Sequence, residues 1–295
     1  AFLLRQPVKN VGKGAVDVIP SNLPGGYIGR LFLGRDAFLD QLRDSLQKQT
    51  HATAITQATA ATGISGLGGI GKTHTAVEYA HRHRGDYAAL LFVSGDSPQK
   101  LSARLAALCG VLHLDAGGAL PPDEASRVAA AVDWLASHRD WLLIVDNVDT
   151  VESAAALTGL LERLTTGHVL ITSRLHGWAD NVESLDLDVL SSDAATELLL
   201  QLTDKQRRKA ADDADQARVL ADLLEGLPLA LHQAAGYIRE QRLTLAGYLV
   251  IYKEEAAELL GWFNQLTIPY AGPEEVGPRP VLITWKTSFD KLDAD

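Results

Sequence analysis

The segment Gly66-Leu67-Gly68-Gly69-Ile70-Gly71-Lys72-Thr73 constrains this chain more than any other. It satisfies G-x-x-x-x-G-K-[ST] at every fixed position. An apolar, threonine-rich run over Ala58–Ser65 leads in as a buried strand. A helical period from Lys72 to about Arg84, with Ala76, Val77 and Ala80 on one face, leads out. Strand, glycine loop and helix in that order form a phosphate cradle. The glycines let backbone N–H groups turn inward and approach phosphate oxygens closely, and the helix N-terminus adds partial positive charge. In that setting Lys72 supplies a point charge for the β- and γ-phosphates, and the Thr73 hydroxyl is a ligand for Mg²⁺. A glycine-rich turn with a surface lysine is the alternative reading of the motif alone.

The pattern on either side predicts an α/β fold. A helix is expected over Asp36–Gln47, with Phe38, Leu39, Leu42 and Leu46 on one side. Strands over Tyr87–Ser94, Trp141–Asp146, His168–Ser173 and Val182–Leu187 alternate with helices over Gln99–Cys109, Asp123–Ser137 and Val151–Leu164. Short apolar strands separated by helices predict a parallel sheet covered on both faces. From Ser192 to Leu260 every segment has helical spacing, which predicts a second, all-helical unit. The expected organisation is an arm or linker over 1–30 and a phosphate-loop domain over 31–189. A helical domain over 190–270 follows, then a proline- and glycine-rich linker with a last helical start over 271–295.

Composition narrows the function. Apolar residues make up 46% and charged residues 22%, as in globular chains, and no apolar run approaches the ~20 residues of a membrane span. Net charge is −10, which argues against general nucleic-acid binding. The basic run Lys205-Gln206-Arg207-Arg208-Lys209 reads as a solvated helix end, because Asp212, Asp213 and Asp215 follow it. The single cysteine, Cys109, has no internal partner and reads as a small buried hydrophobe, so a reducing, cytoplasmic setting is expected. The absence of methionine and the alanine start lead to the expectation of an edited or excised fragment.

A nucleotide hydrolase needs a second acid. Leu142-Leu143-Ile144-Val145-Asp146 is an apolar strand ending in a carboxylate suited to Mg²⁺ through water; a turn aspartate is the alternative. Asn147 follows, and an amide accepts no proton at neutral pH, so slow hydrolysis is expected. Asp149 is expected to cap the next helix, unless the turn directs it inward. Arg174, at the end of the strand from His168, has a planar fork that pairs with phosphate oxygens; a surface arginine is the alternative. Lys72, Asp146 and Arg174 are the candidate catalytic residues.

Leu31-Phe32-Leu33-Gly34-Arg35-Asp36, Gly66 to Thr73, Leu142 to Asp149, Val169 to Arg174 and Glu225-Gly226-Leu227-Pro228-Leu229-Ala230 occur in that order. Together they resemble the NB-ARC branch of the STAND family of P-loop NTPases (signal transduction ATPases with numerous domains). Thr284-Trp285 and Ser288-Phe289 resemble the start of that family's winged-helix domain. The resemblance implies that Phe32, Leu33, Gly34 and Arg35 border adenine and ribose. It further implies that Gly68, Gly69, Ile70, Gly71, Lys72, Thr73 and His74 wrap the phosphates. Thr73 and Asp146 would hold Mg²⁺, the latter through water; Arg174 would sense the terminal phosphate; Pro228 would pack on adenine. His74 stands where a hydroxyl residue is common, and a helix-surface histidine is the other reading of it. The implied function is an ATP/ADP switch with slow hydrolysis, closed with ADP, and open and self-associating with ATP. Sensor and effector domains would lie outside this chain. No guanine-reading Asn/Thr-Lys-x-Asp segment occurs, which favours adenine. The alternatives are an AAA-type remodelling ATPase and a nucleotide-locked scaffold without hydrolysis.

Overall fold

Five short parallel strands, the inner ones buried on both faces, organise the molecule. The computed structural model describes residues 19–25, 29–48, 52–57, 69–115 and 120–265. After a single 3₁₀ turn at Gly29–Leu31, the chain forms α1 (Asp36–Gln47), β1 (Ala52–Gln57), α2 (Lys72–Arg82), β2 (Ala89–Ser94), α3 (Pro98–Val111), α4 (Glu124–Ser137) and β3 (Trp141–Asp146). Then come α5 (Val151–Leu161), β4 (His168–Thr172), β5 (Val182–Leu187), α6 (Ser192–Thr203), α7 (Asp213–Leu223), α8 (Pro228–Glu240) and α9 (Leu245–Gln265). All strand pairs are parallel, in the order β2-β3-β4-β1-β5. The result is a Rossmann-like P-loop NTPase sheet covered by helices and followed by a helical bundle.

Consecutive side chains of a strand enter opposite cores, because the pleat has period two. Leu90, Leu142, Ile144 and Leu170 pack with α1 and α2. Leu91, Leu143, Val145, Val169 and Ile171 pack with α3, α4 and α5. The first core continues without a break into α6–α9 through Leu190, Leu198 and Leu227. The sheet and the bundle therefore share one apolar interior on the α1/α2 face. Each large aliphatic side chain in it contributes about 1.5–3 kcal/mol on burial.

Two sequence expectations shift, and a third falls outside the described residues. The strand expected over Ala58–Ser65 lies outside the described residues. The strand that occupies the sheet ahead of the loop is Ala52–Gln57, whose β-branched Thr53, Ile55 and Thr56 are fully buried. The expected arm includes Ser21 and Asn22, which pair with the exposed edge of β2. Ser21 bridges Leu90, and the Asn22 amide bonds the Phe92 backbone at both ends, 2.8 Å each way. That pairing covers an otherwise open strand edge. Finally, α5 stops at Leu161 rather than Leu164, and Leu164 is buried beyond the helix end. The winged-helix start over 271–295 lies outside the described residues, as do Gly66, Leu67 and Gly68.

Candidate functional site

The carboxyl ends of the strands converge on the N-terminus of α2. Gly71, at φ 96°, is the N-cap of that helix and offers no side-chain acceptor to its first turn. The leading N–H groups of α2 are thus free of a side-chain cap, as an anion site requires. Beside them lies a cavity of about 290 Å³ bordered by Lys72, Thr73, His74, Asn147, Asp149 and Arg174. Burial holds the Lys72 ammonium below its ordinary value; Asp149 and Asp146 oppose that shift, and Arg174 adds to it.

Strand order brings the acid to the loop. β4 lies between β1 and β3, so the end of β4 adjoins both the strand that precedes the glycine loop and the acid strand. Asp146 Oδ1 accepts from the Thr73 hydroxyl at 2.6 Å and from the Thr172 hydroxyl at 2.6 Å. Thr172 Oγ1 in turn accepts the Asn147 N–H at 3.0 Å. A hydroxyl and a carboxylate in contact are hard oxygen donors of the kind Mg²⁺ takes, with water and phosphate completing its shell. Among the described residues no group of three or more His, Cys, Asp and Glu gathers as a metal site, and a Mg²⁺ carried on phosphate needs none.

Asp149 does not cap α5. That role belongs to Thr150, whose side chain accepts the Ser153 N–H at 3.2 Å. The Asp149 carboxylate instead accepts two bonds from Arg174, from the backbone N–H at 2.8 Å and from Nε at 2.7 Å. The left-handed Asn147, φ 66°, turns the chain so that this carboxylate points inward. The Asn147 amide donates to Asp96 at 3.0 Å.

A second cavity, of about 260 Å³, lies between the sheet and the bundle. Leu31, Phe32, Leu33 and Arg35 border it from one side, and Leu190, Leu198, Pro228, Leu229 and His232 from the other. Gly69, Gly71 and His74 border both cavities, so the two lie side by side. Pro228 opens α8, where its missing N–H costs nothing. The next residue, Leu229, donates its N–H to the Gly69 carbonyl at 3.2 Å.

Two residues from the expected adenine border make further contacts. Gly34 is not part of the lining; at φ 70° it lets the chain close on α6, where a Cβ would fall 2.5 Å from that of Ala194. The Arg35 guanidinium binds the back of the loop, donating to the Ile70 carbonyl at 2.6 Å, the Thr75 hydroxyl at 3.1 Å and the Asp188 carbonyl at 3.2 Å. Burial pushes it down to about 10, against the pull of Asp188. Ile70 is buried in the core, and its carbonyl accepts from Arg35. Phe32 is buried beneath the Arg82 guanidinium, 5.4 Å above its ring.

Sequence reasoning passed over Thr172, Asp96 and His232. A hydroxyl two positions before Arg174 was the available signal for Thr172. His232 lies one helical turn after Pro228, the spacing that puts both on one face. Burial holds its imidazole below the ordinary value, with the charges of His74 and Arg239 acting the same way.

No family model matches the chain. It is similar to a nucleotide-binding leucine-rich repeat (NLR)-like protein of Hyaloscypha variabilis, 26% identical over 299 residues, covering 92% of this chain and 29% of that protein. The chain thus spans under a third of that relative's length. Among solved structures it is similar to a STAND protein with a tetratricopeptide repeat sensor from Pyrococcus horikoshii. That match has 18% identity and a TM-score of 0.41, covering 80% of this chain and 35% of that one. A second is the ADP form of the Aeropyrum pernix ORC2 protein, at 13% identity and a TM-score of 0.45, covering 79% and 74%. The sequence similarity is a distant one, to an NLR-type protein. Among the described residues no helix is long and apolar enough to cross a membrane.

Proposed function

We propose that this chain is the nucleotide core of a STAND-type signalling ATPase of the NB-ARC branch. It would bind ATP or ADP between the sheet and the helical bundle and hydrolyse ATP slowly. The observation that carries this reading is the shared border of the two cavities. Gly69, Gly71 and His74 join the polar cavity of Lys72 to the apolar cavity of Pro228. One ligand with a phosphate end and a flat apolar end fits that shape. Similarity to an NLR-like protein over most of the chain supports the same class.

Each residue then has a role. Lys72 and the first turn of α2 bind the phosphates. Phe32, Leu33 and Pro228 form apolar walls for the base, and Arg35 keeps the loop in shape from behind. Thr73 and Asp146 hold Mg²⁺, which neutralises phosphate charge when bound. Arg174 faces the terminal phosphate. Water activation is weak, because Asn147 takes no proton and the Asp149 carboxylate is engaged by Arg174. That favours a switch over a motor. The bound nucleotide contacts both units, so its phosphate number changes the free energy of one arrangement against another. The open arrangement would self-associate and act through sensor and effector domains in a cytoplasmic protein.

The test is the nucleotide released on denaturing the purified protein. ADP or ATP is expected at near one per chain, with Lys72→Ala emptied. Unchanged nucleotide in Lys72→Ala refutes the site. The engaged Asp149 also favours a second reading, a scaffold that never hydrolyses. Retention of Mg²⁺-ATP unhydrolysed over hours selects it. Turnover above about one per minute, towards the ~1–100 s⁻¹ of kinases, selects a remodelling ATPase instead.

A further inference from the structure

The turn after β3 is stitched to the end of β4 by four consecutive bonds. Asn147 N–H donates to the Thr172 hydroxyl, and Val148 N–H to the Thr172 carbonyl at 3.0 Å. The Ser173 hydroxyl donates to the Val148 carbonyl, and Arg174 N–H to Asp149. Val148 is fully buried between them. This seam fixes Asp149 and Arg174 side by side at the cavity wall.

Within the seam, both oxygens of Asp149 bind one residue. Oδ1 takes the Arg174 backbone N–H and Oδ2 takes its Nε–H, so the carboxylate chelates the base and the near edge of that side chain. The Asp149 side chain is 13% exposed and that of Arg174 is 50% exposed. Among the described residues, neither terminal amino group of Arg174 has a hydrogen-bond partner. A guanidinium held at Nε still presents those two donors as a fork, the geometry that matches two phosphate oxygens. The arrangement also answers a charge problem. Lys72 and Arg174 border one cavity and repel each other, and Asp149 is the counter-charge that acts most strongly on Lys72.

We propose that Asp149 is a positioning residue that aims the Arg174 fork at the terminal phosphate, so that discrimination between a nucleoside triphosphate and a diphosphate depends on this pair. The inference rests on the nucleotide reading above and adds to it the residue that sets phosphate-number selectivity. Asp149 works through Arg174 and touches no phosphate. It also has no capping duty that would explain its carboxylate, since Thr150 caps α5.

Asp149→Asn separates the two bonds. The amide oxygen still accepts the Arg174 backbone N–H, keeping the turn. Its NH₂ group donates, so it cannot accept from Nε–H. Equilibrium binding of Mg²⁺-ADP and of a non-hydrolysable ATP analogue is measured on the full chain, for wild type, Asp149→Asn, Arg174→Ala and the double variant. Asp149→Asn is expected to weaken the triphosphate analogue about 5- to 10-fold, as expected for one charge-assisted contact, with ADP changed less than about 2-fold. The double variant is expected to bind the analogue no more weakly than Arg174→Ala alone, because the residues act as a unit. Asp149→Ser, a shorter acceptor that keeps the turn bond, makes the same comparison if Asp149→Asn fails to fold. Equal loss for both nucleotides, additive losses in the double variant, or tighter triphosphate binding in Asp149→Asn overturns the inference while leaving the nucleotide site intact. Failure of the wild-type chain to bind either nucleotide overturns both.

Discussion

Gly69→Ala tests whether the phosphate loop and the helical bundle are in direct mechanical contact. Gly69 sits at φ 108°, a conformation an L-alanine adopts at a cost of roughly 1–2 kcal/mol. Its missing side chain faces α8. A Cβ there would lie 2.6 Å from Leu229 Cβ and 2.8 Å from Leu229 Cδ2. The first is an atom fixed to the helix backbone, so α8 must retreat. That retreat lengthens the bond from Leu229 N–H to the Gly69 carbonyl, worth about 1 kcal/mol net. Strain and lost contact together come to about 2–3 kcal/mol, or a fall of about 3–5 °C in melting temperature for a chain of this size. Gly71→Ala is the control. Gly71 is at φ 96°, so its strain is similar, but its Cβ would meet only the tip of Arg35, 3.0 Å from Nη1. The assay is thermal and denaturant unfolding of both variants, with Leu229→Gly as a partner mutation that removes the clashing Cβ. Gly69→Ala should be the more damaging, and Leu229→Gly should recover about 1 kcal/mol of its loss. Equal losses in the two glycine variants, with no recovery, would refute a direct link between loop and bundle.

Other outcomes follow from the same contacts. Burial alone would raise Asp213, but the 2.8 Å bond from Arg207, the Ala210 N–H and the Arg207 charge hold it below the ordinary carboxylate value. Its stabilisation is therefore complete above about pH 4 and lost as pH falls through the lowered value. Asp213→Asn leaves Arg207, whose side chain is 7% exposed, without its counter-charge and should cost about 3 kcal/mol at pH 7 while flattening the acid limb of the stability curve. Thr172→Val removes one of two hydroxyl donors to Asp146 and the acceptor of Asn147 N–H, and should cost about 1–2 kcal/mol in denaturant unfolding and weaken Mg²⁺-dependent nucleotide binding. The Cys109 thiol is fully buried, bonded to the Arg127 carbonyl at 3.2 Å, and pushed up by burial. Alkylation by iodoacetamide should therefore proceed only on unfolding; rapid labelling of the native chain would contradict its burial.

Strand and helix positions were legible because they rest on local repetition. Leu142 to Val145 are apolar without interruption, and the structure buries them between two helical layers. Pro228 after Gly226-Leu227 marks a helix start, and α8 begins there. The strand Ala52–Gln57 was passed over because threonine and alanine occupy both it and the stretch after it, and the expected Ala58–Ser65 strand lies outside the described residues. Such residues fit strand and loop alike. Asp149 was misassigned because an aspartate before a helix satisfies the capping pattern. The neighbouring Thr150 satisfies it too, and only one of them can be the N-cap.

From the order of residues alone, this chain is committed to a glycine loop ahead of a helix, an acid at the end of an apolar strand, and a helical segment beginning at Pro228. Those features follow from glycine torsions, from an unbroken apolar run and period-3.6 burial, and from proline's missing N–H, all local properties. Tertiary structure alone decided that β4 separates β1 from β3, and so that Thr172 meets Asp146 and Arg174 meets Asp149. It alone turned Arg35 to the back of the loop and brought Leu229 against Gly69. Parallel strands pair through crossovers whose order no local period encodes, and a charged or hydrogen-bonding group has many acceptable partners until packing leaves it one.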